Sequence, residues 1–99
     1  MTLPVALLDR LRRVRLLALD VDGVLTDGRL YFQADGIEIK AFHTQDGHGL
    51  KLLKRVGIHV ALVTGRDSPM VSQRAASLGI DLVHQGCEDK LATLRGLCQ

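Results

Sequence analysis

Apolar positions along the chain change period several times, and each change marks an element. Val5, Leu7, Leu8 and Leu11 are spaced for one face of a short helix over about 5–13. Leu16-Leu17-Ala18-Leu19 is a continuous apolar run that ends abruptly in acidic and glycine residues, as a buried parallel strand does where it meets a loop. Residues 29–32 and 37–42 flank Gln33-Ala34-Asp35-Gly36, where Asp-Gly predicts a hairpin turn. Asp46 is placed to cap a helix over about 47–55, with Leu50, Leu52, Leu53 and Val56 turned inward and Gly57 ending it. His59-Val60-Ala61-Leu62-Val63 predicts a second buried strand, and Ser68-Pro69 the cap and first turn of a helix that closes at Gly79. A third strand over 80–83 follows, then a last helix opened by Glu88 or Asp89 and carrying Leu91, Leu94 and Leu97.

Alternating strands and helices predict an α/β fold, a Rossmann-like parallel sheet with a small β-hairpin flap over about 29–42. The whole chain, 1–99, reads as one domain, with no internal repeat, linker or low-complexity segment. In such sheets ligands bind beyond the carboxyl ends of the strands. Three polar clusters fall there: residues 20–27, 64–66 and 85–90.

Composition narrows the function classes. With 99 residues the chain can bury roughly two-thirds of its unfolded surface, enough for a core but not for a separate lid. A net charge of +2 gives no argument for nucleic acid or membrane. Arg10, Arg12, Arg13 and Arg15 read as a solvated helix face more readily than as an anion-binding arm. They and Asp9 interrupt any signal-peptide core, and no apolar stretch approaches the about 20 residues that span a bilayer. A cytoplasmic location is the simplest expectation. Cys87 and Cys98 suit reduced thiols better than a disulfide. Four histidines invite a zinc reading, but His43 and His48 lack the spacing and companions of a zinc motif. His48 is a candidate for lining the site because it lies near Asp46.

Asp20-Val21-Asp22-Gly23 carries the sharpest chemistry. Two carboxylates two residues apart at a strand end point to one side and repel each other unless a cation intervenes. A hard divalent ion, Mg²⁺, suits such oxygen ligands. One carboxylate can attack phosphorus, and the other can protonate the leaving oxygen and later take a proton from water. Gly23 allows a tight turn that offers N–H groups to phosphoryl oxygens. Taken alone, the tetrapeptide is equally well a plain Asp-Gly turn. Thr64 could donate its hydroxyl to an equatorial oxygen, or be a core or capping threonine. Lys90 has the wrong charge for a helix N-terminus, which suggests an anion nearby, although an exposed surface lysine fits too.

In order along the chain, residues 20–28, Val63-Thr64-Gly65-Arg66 and Lys90 resemble the first three motifs of haloacid dehalogenase superfamily phosphatases. Lys40-Ala41-Phe42, Asp46-Gly47 and Gly49 are similar to the branch acting on 3-deoxy-D-manno-octulosonate 8-phosphate. The resemblance implies a magnesium-dependent phosphomonoester hydrolase with an aspartyl-phosphate intermediate and a small anionic sugar phosphate as substrate. It implies Asp20 as nucleophile, Asp22 as acid/base, Thr64 and Lys90 on the phosphoryl group, and Asp20 with Asp22 on the metal. Gly23, Lys40, Asp46, Gly65 and Arg66 are the implied substrate contacts. Asp22 separates the chain from phosphate-transferring pumps, which lack that acid. The interval 23–63 leaves no room for a cap domain, so water must be excluded otherwise. In this branch such hairpins meet between the subunits of a homotetramer, and Leu30, Phe32, Ile37 and Ile39 would give the flap an apolar rim.

The family's fourth motif, an acidic cluster after Lys90, has no counterpart here. The sequence therefore reads as a shortened member, incomplete at the C-terminus, with the catalytic strand at the sheet edge. The alternative function is a catalytically impaired oligomerisation module of the same fold.

Overall fold

The computed structural model describes residues 2–99. Among the described residues five strands and four helices follow one another as α1 (Val5–Arg12), β1 (Leu16–Leu19), β2 (Tyr31–Phe32), β3 (Glu38–Ile39), α2 (Thr44–Arg55), β4 (His59–Val63), α3 (Pro69–Leu78), β5 (Leu82–His84) and α4 (Lys90–Leu97). The strands β1, β4 and β5 form a parallel sheet in the order β1-β4-β5, so the fold is α/β and the strand leading to Asp20 is an edge. Register pairs Leu16 with His59 and Leu19 with Leu62, while Val63 meets His84. The loops that leave β1 and β4 therefore emerge side by side.

Strand β4 and helices α2 and α3 together supply most of the core. Val60 and Leu62 of β4 cluster with Leu50 of α2 and with Val71, Ala75 and Leu78 of α3, joined by Val21 and Ile80. Gly47 explains the close approach of the two helices, because a Cβ there would stand 2.4 Å from the Arg74 guanidinium and 2.9 Å from Leu78. Helix α3 has the expected ends: the Ser68 hydroxyl accepts from the Met70 N–H, Pro69 begins the helix, and Gly79 closes it with φ +70°. The Lys54 ammonium donates to the Gly79 carbonyl, which fastens the end of α2 to that turn.

Several elements depart from the sequence expectation. Helix α2 begins at Thr44 because the His43 imidazole, not Asp46, caps it by accepting the Gln45 N–H. Asp46 lies in its first turn, where a carboxylate suits the helix dipole. Leu52 and Val56 are exposed, since the inward stripe runs through Gly47, Leu50 and Leu53. The third strand of the sheet is 82–84 rather than 80–83, with Ile80 buried just before it. Helix α1 buries none of its residues. The hairpin forms with its turn where expected, Gly36 at φ +86° and the Gly36 N–H on the Gln33 carbonyl, but its strands are two residues each.

Candidate active site

The chain turns out of β1 at Asp20. The Val21 N–H donates to one Asp20 oxygen at 2.7 Å, and the Lys90 ammonium stands 2.9 Å from the other. Partial burial pushes the Asp20 carboxyl up, but the bond from Lys90, the Val21 N–H and the lysine charge together hold it below the usual aspartate range. Lys90 reaches it from the first residue of α4, whose cap is Asp89 accepting the Ala92 N–H. The anion that the misplaced lysine suggested is, in this structure, Asp20 itself.

The loop after Asp22 closes on a single oxygen. Thr26 Oγ1 accepts from the N–H groups of Gly23 and Gly28. Both glycines have positive φ, +82° and +81°, and a Cβ on Gly28 would touch the Gly23 backbone at 3.5 Å. Gly23 thus makes the tight turn, and its own N–H serves the loop. Next to this loop Asp27 accepts from the Tyr31 hydroxyl at 2.6 Å and from the Arg29 N–H, which tie the loop to β2. The tyrosine bond, above all, holds the Asp27 carboxyl below its usual range.

Asp22 belongs to a second group of charges. Lys40 donates to Asp22 at 2.6 Å and to Glu38 at 2.9 Å, and Arg66 donates to the other Glu38 oxygen at 2.8 Å. The Lys40 side chain is only 3% exposed. Burial alone would favour its neutral form, but the hydrogen bonds and charges of Asp22 and Glu38 outweigh that and raise its pKa above the ordinary lysine value. Glu38 is the member that the sequence reading did not single out. Its signal was available: Glu38 and Lys40 alternate with Ile37 and Ile39, so two charges share one face of a short strand.

Thr64 follows β4 directly and is 2% exposed. Its backbone is held by β5 and the following turn, through its N–H on the His84 carbonyl and its carbonyl under the Cys87 N–H. Its Oγ1 accepts the Arg66 N–H at 3.3 Å, which leaves the hydroxyl proton available to donate. Gly65 packs against the Cys87 carbonyl, where a Cβ would sit at ordinary contact distance. The structure thus brings Asp20 to Lys90, and Asp22 to Lys40, Glu38 and Arg66. Asp46 makes no ion pair with these among the described residues. It lines a hollow with Leu25, Thr26, Asp27, Ala41, Phe42 and His43. His48 is exposed on α2. Both cysteines are free thiols.

A magnesium ion tests poorly against these residues. Each of the two carboxylates of residues 20 and 22 is engaged by a lysine, and among the described residues no three His, Cys, Asp or Glu groups lie together to hold a metal. The donor set is therefore incomplete for a hard cation that needs about six oxygens. No helix among the described residues is long and apolar enough to cross a membrane.

No family model matches the chain. Among curated proteins it is 47% identical, over 81 residues, to the 3-deoxy-D-manno-octulosonate 8-phosphate phosphatase of Haemophilus influenzae, covering 82% of this chain and 45% of that one. The chain spans about half the length of the curated relatives it matches, 45–46%. Among solved structures it superposes on the Moraxella catarrhalis phosphatase of the same name, in complex with a magnesium ion, a phosphate ion and a KDO molecule. That match has a TM-score of 0.82 and 51% identity, over 85% of this chain and 48% of the other. A Legionella pneumophila protein, assigned to the haloacid dehalogenase superfamily as a subfamily III A hydrolase, matches with a TM-score of 0.88 and 43% identity, over 92% and 50% of the two chains.

Proposed function

We propose, for a chain that belongs to the haloacid dehalogenase superfamily, that it carries the nucleophile-bearing part of a phosphomonoester hydrolase site for a sugar-acid phosphate such as 3-deoxy-D-manno-octulosonate 8-phosphate. The observation that carries this reading is the pair of carboxylates at the end of β1, each set against a different lysine. An ionised Asp20 oxygen attacks phosphorus, and the bond from phosphorus to the ester oxygen breaks as Asp22, ionised and paired with Lys40 in the free chain and taking up a proton when substrate binds, passes that proton to the leaving alkoxide. Asp22 then takes a proton from water, which attacks the aspartyl phosphate and releases phosphate and free Asp20. Lys90 and the Thr64 hydroxyl offset charge on the phosphoryl oxygens. Gly23 and Gly65 let the backbone approach them, and Lys40, Arg66 and Asp46 are the remaining candidates for substrate contact.

Mg²⁺ is the proposed cofactor of a complete site. Asp20 and the Asp22 carbonyl would be this chain's share of a shell that its residues do not fill, so no step above depends on the ion. Lipopolysaccharide biosynthesis in the cytoplasm is the setting that fits such a substrate.

Asp20→Asn should lower turnover of an aryl phosphate and of the sugar-acid phosphate by on the order of a thousandfold and abolish the covalent phosphoenzyme. Near-normal turnover of that variant would remove Asp20 as nucleophile.

A second reading is favoured by exposed apolar residues on the hairpin, Leu30, Phe32, Ile37 and Ile39. They suit association between copies, either a homotetramer that encloses the site or an assembly module without turnover. Replacing Phe32 and Ile37 by Lys should yield smaller species in sedimentation. Unchanged mass would place the contact elsewhere.

A further inference from the structure

Glu38 stands where three separate parts of the fold meet. Asp22 belongs to the loop after β1, Lys40 follows β3 of the hairpin, and Arg66 lies in the loop after β4. Both Glu38 oxygens are occupied, one by Lys40 at 2.9 Å and one by Arg66 at 2.8 Å. The four charges alternate in sign from Asp22 through Lys40 and Glu38 to Arg66, so the group is neutral as a whole. A lysine only 3% exposed needs that balance, because a buried ammonium with one partner removed is costly.

The two cations are held differently. Lys40 spends two of its three N–H groups on carboxylates and is enclosed. Arg66 is 43% exposed and gives Glu38 a single nitrogen, with no second side-chain partner among the described residues. Most of its planar fork therefore remains open to a ligand while its direction is set by the carboxylate behind it.

We infer that Glu38 is a positioning residue: it fastens the hairpin to the loop bearing Arg66 and aims that guanidinium at a second anionic group of the substrate. The nature of the ligand rests on the phosphatase reading, but the tether does not. Without Glu38 the hairpin loses its ion-pair link to the β4 loop, and Arg66 samples its many rotamers instead of one.

The test uses the 99-residue chain with Glu38→Ala and Glu38→Gln. Hydrogen exchange at the amides of residues 30–40 should quicken roughly tenfold in Glu38→Ala as local opening becomes easier. Amide-shift titration should show the wild type binding 3-phosphoglycerate, which carries phosphate and carboxylate, more tightly than glycerol 3-phosphate, which lacks the carboxylate. Glu38→Ala should lose about tenfold of that preference and Glu38→Gln, which can still accept one bond, roughly half as much in free energy. A merely structural role would weaken both ligands alike. Unchanged exchange, or a retained preference for the carboxylate, overturns the inference. Should Glu38→Ala fail to fold, the isosteric glutamine variant carries both measurements. Absence of turnover in the wild type would count against the phosphatase reading and leave these two readouts decisive.

Discussion

Strands β1 and β4 pair in parallel and each delivers a polar loop to the same end of the sheet, yet they are supported very differently. From Val60 to Val63 every residue of β4 is buried, flanked by β1 and β5 and covered by α2 and α3. All four residues of β1 are half-buried, and beyond them the sheet has no further strand among the described residues. The loop held by β4 carries Thr64, a buried neutral hydroxyl, whereas the loop after β1 carries the two charged residues proposed to react. Rigidity and reactivity thus lie on adjacent strands. The core fixes one, and ion pairs from α4 and the hairpin compensate for the exposure of the other.

The contrast can be broken by truncating matched residues. Leu62→Ala should cost about 3 kcal/mol in urea unfolding, since a leucine 2% exposed leaves a cavity among packed helices. Leu17→Ala, on a strand open at one edge, should cost about 1 kcal/mol because its neighbours and solvent can close in. Equal losses would show that β1 is as well supported as β4.

The smallest effect sharpens the comparison at Asp20. Its folded carboxyl titrates below the ordinary value, so its ionised form favours the folded state at all pH above the unfolded aspartate value of about 3.9. That contribution is lost as pH falls through the lower, folded value. Carbon-detected titration of Asp20 should give a midpoint below that of an unpaired aspartate, and Lys90→Ala should move it upward. A midpoint unmoved by that change would mean that the Val21 N–H alone sets it.

The two regions also differ in how far they could be read from the sequence. Val60 to Val63 between Gly57 and Thr64, and the Ser68-Pro69 start with the Gly79 stop, each combine period with a local cap, and α3 lies where they place it. The edge position of β1 followed from the resemblance and the missing acidic motif, and the strand order agrees. Helix α2 starts three residues before the sequence expectation because a histidine cap carries a weak sequence signal beside an aspartate two residues inside the helix. Leu52 and Val56 face solvent against expectation because a run of leucines fits more than one inward stripe. Asp20 and Lys90 were legible as types of residue, but their contact spans seventy positions and depends on tertiary structure. For Glu38 the alternation with Ile37 and Ile39 marks a charged face, but its partner Arg66 is 28 positions away and meets it only once the hairpin has folded.

The open side of β1 has a thermodynamic corollary. Its backbone is continuous with the turn at Asp20, so a strand docked along Leu16 to Leu19 would add support to the carboxylate that Lys90 and the Val21 N–H hold. Where two such events are coupled, the coupling is reciprocal: a strand that tightens phosphate binding tenfold must itself be bound tenfold more tightly when phosphate is present. Occupancy of the site would then vary with the concentration of whatever supplies that strand, and measurements on dilute and concentrated protein need not agree.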